Sequence, residues 1–234
     1  MRKITIDSRH QGPFGAANGG YVAGLLGDVL QGAPNTVRID KPVPVDTPVY
    51  LYRRGDSAFI RHAEETVATA ELTNQAIPST RFVTPGEVLS GSEPELDMAM
   101  FADCFVCGRP APEGLGLGVR ALPDGRFAAL WRPADSSHVE GPLVEAIHLR
   151  SALDCPGGFA ALTAHQTLAV TGTLTSRIAF LPEASSRLVV VGESTWSDGR
   201  KLGAVSTIFT DTGDLVATAS AVWIAIPSLA GAMN

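Results

Sequence analysis

Three short stretches of this sequence hold residues whose type and spacing could do chemistry. Asn18-Gly19-Gly20 stands directly ahead of the apolar run Tyr21-Val22-Ala23-Gly24-Leu25-Leu26-Gly27, with Asn18 a suitable N-cap. The first N–H groups of such a helix point outward, and glycine lets a ligand come close to them. A carbonyl held there would have its developing oxyanion stabilised; the plainer reading is that the glycines only permit tight packing. Asp154 lies in the apolar context Ala152-Leu153-Asp154-Cys155, where an ionised carboxylate is costly without a partner. A purely structural Asp154 would cap a helix or pair with Arg150 or Arg177. His148, about two helical turns ahead of Asp154, could line the same cleft or pack in the core. Cys104-x-x-Cys107 suggests metal or redox chemistry. Zinc needs four ligands, however, and only Cys155 and the scattered His10, His62, His138, His148 and His165 remain. With no βαβ unit beside the pair, packing is the expected role, and no metal site is expected. Gly114-x-Gly116-x-Gly118 runs into a strand and turn, Val119 to Gly125, so it is no dinucleotide loop. No Gly-x-Ser-x-Gly elbow or phosphate-binding glycine loop occurs.

The elements that must position these residues come from a globular composition: 234 residues, 45% hydrophobic and 18% charged, enough for one large or two small cores. A net charge of −6 argues against nucleic-acid or anionic-membrane partners. Three cysteines, an odd number, fit a reducing compartment. The N-terminus lacks a signal-like apolar run, and no apolar stretch approaches the roughly 18 residues that span a bilayer. A soluble, cytoplasmic protein is expected.

The strongest organisational signal is an internal repeat. Val67-Ala68-Thr69-Ala70 recurs as Val216-Ala217-Thr218-Ala219, and Thr36-Val37-Arg38-Ile39 with Pro42 matches Thr175-Ser176-Arg177-Ile178 with Pro182. Around both sets run alternating, β-branched segments broken by Gly and Asp turn residues, which read as antiparallel meanders. Each half offers one helix ahead of its meander. The first starts at Asn18 and closes near Gly32-Ala33-Pro34; it is apolar nearly all round, hence buried. The second falls within residues 143–162, kinked or broken at Pro156-Gly157-Gly158. Residues 85–94, rich in Gly, Ser, Pro and Glu, read as a linker or surface loop. Two units, 1–90 and 91–234, follow. The fold class is α+β, a double hotdog in which each central helix is wrapped by an antiparallel sheet.

Gly-Pro-Phe-Gly at 12–15, Asn18-Gly19-Gly20, and Arg38-Ile39-Asp40-Lys41-Pro42 resemble hotdog acyl-CoA thioesterases. Cys104-Phe105-Val106-Cys107-Gly108 followed by Pro112-Glu113-Gly114-Leu115, and Ala152-Leu153-Asp154-Cys155-Pro156-Gly157-Gly158, are similar to motifs of double-hotdog, thioesterase II-like and PaaI-like proteins. The resemblance implies hydrolysis of an acyl-CoA or acyl-carrier thioester without a cofactor, CoA being part of the substrate. It makes Asp154 the general base, with Asn18 and Gly20 holding the oxyanion across the interface of the halves, one composite site per chain. Phe14, Gly19, Tyr21, His148, Thr173 and Thr175 are then the substrate-side residues. A hydroxyl early in the second meander, from Thr173, Thr175 or Ser176, completes the family's set. The family's glutamine on the last strand has no counterpart in residues 217–222, where Ser220 is the nearest substitute. The alternative is a non-catalytic acyl-CoA or acyl-carrier binder. A hotdog dehydratase would need an Asp/His pair at a spacing not found here. The resemblance also implies a homodimer or higher homo-oligomer.

Overall fold

The structure, a computed structural model, describes residues 1–95, 99–136 and 138–226; the Phe14 side chain lies outside the described residues. The first half holds β1 (Arg2–Thr5), α1 (Gly19–Val29), β2 (Asn35–Ile39), β3 (Pro48–Arg54), β4 (Ser57–His62) and β5 (Glu65–Leu72). After α2 (Pro85–Ser90) come β6 (Arg120–Ala121), β7 (Phe127–Trp131), α3 (Ala146–Ala152), α4 (Cys155–His165), β8 (Ala169–Ile178), β9 (Leu188–Asp198), β10 (Lys201–Thr210) and β11 (Leu215–Ala225). The eleven strands of the described residues form one sheet, ordered β1-β3-β4-β5-β2-β8-β11-β10-β9-β7-β6.

Read inward from either edge, the order is the same: 1-3-4-5-2 in the first half and 7-9-10-11-8 in the second, with β6 added outside. Equivalent turns sit in both meanders. β3 turns into β4 at Gly55 (φ 60°) and β9 into β10 at Gly199 (φ 56°), left-handed positions that glycine adopts without strain. The halves join where β2 and β8 pair antiparallel, with Thr36 opposite Thr175 and their hydroxyls 3.0 Å apart. The two matching sequence landmarks thus meet each other at the junction.

α1 lies against β8, β4 and β5, and α4 against β9 and β10. α1 is buried as its composition demands: Val22, Ala23 and Leu26 are fully enclosed. Covering such a leucine contributes about 1.5–3 kcal/mol. α3 packs directly on α1 along Gly20, Gly24 and Gly27. A methyl group at Gly20 would lie 2.6 Å from the Arg150 carbonyl oxygen, and one at Gly27 2.8 Å from Arg150 Nε. Only glycine allows that separation.

Two expectations change in detail. The second helix does break, but ahead of Pro156, which sits in the first turn of α4 where its missing N–H is harmless. Residues 85–94 are not simply a linker. Thr84 and Glu87 form a capping box that starts α2, whose Val88 is buried. Val88 and Val83 join Val189, Val191, Leu122, Ala128 and Phe209 in a second core. Leu188 and Val190 face the main core, so strand alternation puts this second core on the opposite side of the sheet.

Candidate active site

The break between α3 and α4 leaves Asp154 at the start of α4 without its side chain capping that helix. The side chain of Asp154, a residue 3% exposed, crosses instead to the start of α1. Its Oδ2 accepts from Gly20 N–H at 3.2 Å and Asn18 Nδ2 at 3.3 Å, and its Oδ1 from the Thr171 hydroxyl at 2.8 Å. Asn18 is fixed from its other end, where its Oδ1 accepts from Tyr21 N–H at 3.0 Å as the N-cap of α1. The same amide therefore caps one helix and holds the carboxylate presented by the other half. Burial pushes the Asp154 carboxyl up to about 7, against the pull of its hydrogen bonds from Thr171, Gly20 and Asn18.

Asp154 borders a cavity of about 210 Å³. Asn18, Gly19 and the preceding turn form one wall; Ile39 to Val43, after β2, form a second; Val170, Thr171 and Trp223 form a third. Phe101, Cys104 and Cys155 close it. The approach to α1 is clamped by Ala17 N–H to Val43 O at 2.8 Å and Asn18 N–H to His10 O at 2.9 Å. The cavity opens where β2 stops: Arg38 opposite Thr173 is the last pair of the junction, so Thr171 lies beyond it.

This register places each candidate hydroxyl. Thr173 faces Arg38 in the junction, Thr175 bonds Thr36, and Ser176 accepts from Arg150 Nε at 3.1 Å, so none of them reaches Asp154. Thr171 does. Gly20, expected with Asn18 to hold the oxyanion, donates its N–H to Asp154. Of the first-turn amides, Gly19 N–H has no acceptor among the described residues, and Gly19 lines the cavity. Tyr21, one residue further round α1, turns away to stack on His10 at 4.2 Å. His148 is buried 6.4 Å from Phe105, in the same ring cluster with His10 and His138, and is not a cavity wall. Burial pushes His148 down to about 4. Phe14 falls in the turn Pro13–Gly15, its side chain outside the described residues.

The fold also assembles what spacing alone kept apart. Cys155 Sγ lies 3.8 Å from Cys104 Sγ, and the sulfurs of Cys104, Cys107 and Cys155 all fall within 4.8 Å of one another. Hydrogen bonding with the Cys107 and Cys155 thiols draws Cys104 well below the ordinary thiol range. Asn18 Nδ2 is 3.7 Å from the same sulfur.

A buried helix in the first half and a buried helix broken into α3 and α4 in the second, each packed on its meander, with the meanders joined edge to edge, define the double hotdog fold. No family model matches the sequence, and neither does any curated protein. Solved structures do share the fold. A candidate thioesterase from Novosphingobium aromaticivorans aligns at TM-score 0.64 and 15% identity, over 96% of this chain and 95% of that one. An acyl-CoA thioesterase II from Mycobacterium marinum aligns at 0.56 and 14%, over 97% and 93%. A hot dog fold protein of unknown function from Alicyclobacillus acidocaldarius aligns at 0.58 and 16%, over 97% and 93%. Among the described residues no helix is long and apolar enough to cross a membrane.

Proposed function

We propose that the protein hydrolyses thioesters, with acyl-CoA as the substrate class. The observation that carries this reading is the Asp154 carboxylate, buried beside a largely apolar cavity and held by donors from both halves at the start of α1. A thioester carbonyl entering past Ile39 to Val43 meets Gly19 N–H, which takes the developing oxyanion. A water beside Asp154 attacks the carbonyl carbon and gives its proton to the carboxylate. Collapse of the tetrahedral intermediate breaks the carbon–sulfur bond, and the leaving thiolate takes that proton back. The products are a free acid and a free thiol. Thr171 and Asn18 keep the carboxylate aimed, and no cofactor is required. That a solved relative in fold is an acyl-CoA thioesterase II supports the substrate class.

The test is thiol release from a panel of acyl-CoAs of graded chain length. Turnover of at least one member, lost on Asp154→Asn, is the expected result. Acyl-CoA binding with no thiol release from any member would replace hydrolysis by a carrier or sensor role.

A further inference from the structure

The sulfurs of Cys104, Cys107 and Cys155 serve no step of the reaction above, yet their arrangement is more specific than packing requires. Cys104 and Cys107 lie on one tight turn, where Gly108 N–H and Arg109 N–H both return to the Cys104 carbonyl at 3.0 and 2.9 Å. A side chain at Gly108 would strike the carbonyl oxygens of Phe101 and Ala102, so the turn closes only with glycine there. The turn brings the Cys104 and Cys107 sulfurs within 4.8 Å of each other and of Cys155 Sγ. The third sulfur arrives from the first turn of α4. A tetrahedral ion with metal–sulfur bonds of about 2.3 Å holds its sulfurs about 3.8 Å apart. Cys104 and Cys155 are separated by 3.8 Å before any ion is considered.

We propose that Cys104, Cys107 and Cys155 form a site for one thiophilic cation of the Zn(II) class, three thiolates binding it and the fourth position facing the cavity. Soft sulfur donors select such ions over magnesium or calcium. Cys104 and Cys155 line the main cavity and Cys107 the small one behind it, so water or a ligand donor from the cavity completes the set. The ion ties the turn bearing Cys104 to α4 and fixes one wall of the cavity. This inference is independent of hydrolysis by Asp154, because the test reads metal binding alone.

Fully reduced full-length protein titrated with Co(II) should bind one equivalent per chain. It should develop thiolate-to-cobalt charge-transfer absorption and the visible bands of a four-coordinate ion, both abolished by one equivalent of Zn(II). Bound Zn(II) should protect all three thiols from alkylation in the native state. Cys155→Ala should weaken Co(II) binding at least about 100-fold. If that variant does not fold, Cys107→Ala, at a half-buried position, gives the same reading. Absence of the four-coordinate spectrum in the parent, or unchanged affinity in the folded variant, overturns the proposal.

Discussion

Replacing Asp154 by asparagine separates chemistry from architecture. Asparagine keeps the volume, and its carbonyl oxygen can accept from Gly20 N–H and Asn18 Nδ2, as Asp154 Oδ2 does at 3.2 and 3.3 Å. Its amide can donate to Thr171 Oγ1, because a hydroxyl now 2.8 Å from Oδ1 accepts as readily as it donates. Three contacts survive, and stability should move by only about 1 kcal/mol, the net worth of one altered hydrogen bond. For a chain of this size that is about 2–4 °C in melting temperature. What is lost is the proton acceptor. Removing a positioned base lowers turnover about 10²–10⁴-fold, equivalent to about 3–5 kcal/mol of barrier. The assay is thiol release at saturating acyl-CoA, normalised to folded protein, with affinity measured separately. The expected pattern is a collapse of turnover, unchanged affinity and a nearly unchanged melting curve. Turnover within about threefold of the parent, a barrier change of under about 1 kcal/mol, would refute the assignment. A large fall in melting temperature would instead make Asp154 a structural residue.

Three other outcomes follow from the same geometry. Gly20→Ala places a methyl group 2.6 Å from the Arg150 carbonyl oxygen and 2.7 Å from Ser151 Cα, so α1 and α3 must part; a loss of about 1–3 kcal/mol is expected by denaturant unfolding. Trp223 borders both the main cavity and the small one of about 20 Å³ behind it; Trp223→Ala should join them and shift preference toward longer acyl chains in the graded panel, with about 3–5 kcal/mol lost in stability. His148, 4% exposed, is held neutral by burial that lowers it from 6.5 to about 4. Its unfolded form binds the extra proton between those values, so its contribution is complete above pH 6.5 and falls as pH drops toward 4, by about 2 kcal/mol at pH 5. Glu145 Oε2, 3.9 Å from the ring, sits on a side chain 63% exposed and offsets little of this. His148→Leu should shrink the stability difference between pH 7 and pH 5; an unchanged difference would show that His148 is not the titrating group.

Local signals in the chain were legible where a neighbouring residue decides the outcome. Asn18 ahead of an apolar run gave α1 and its cap, Gly55 and Gly199 gave matching turns, and Pro156 marked the helix break. The capping box of α2 was also present, as Thr84 three residues ahead of Glu87, but the Gly, Ser and Pro content around it pointed to a loop. The site was less legible because tertiary register selects its members. Thr171 rather than Thr173 meets Asp154 because it lies past the last pair of β8 with β2 and past a register shift in β8 at Gly172, which residue spacing did not count. Tyr21 and His148 lie near the right residues in sequence but on the wrong side of their helices. The cysteine cluster joins residues 51 apart, a separation over which spacing rules say nothing.

The junction of β2 with β8 has a consequence for how this protein can change. In an assembly of two identical chains every substitution is made twice, once on each side of the symmetry axis. Here both sides belong to one chain, and they have taken on different duties. The first half supplies backbone and amide donors, from Asn18 and Gly20, while the second supplies the carboxylate and hydroxyl of Asp154 and Thr171. Tolerance to mutation should therefore be lopsided. Around Gly20 the forbidden variable is size, whereas around Asp154 it is charge and proton affinity, and each half can drift in the variable that constrains only the other.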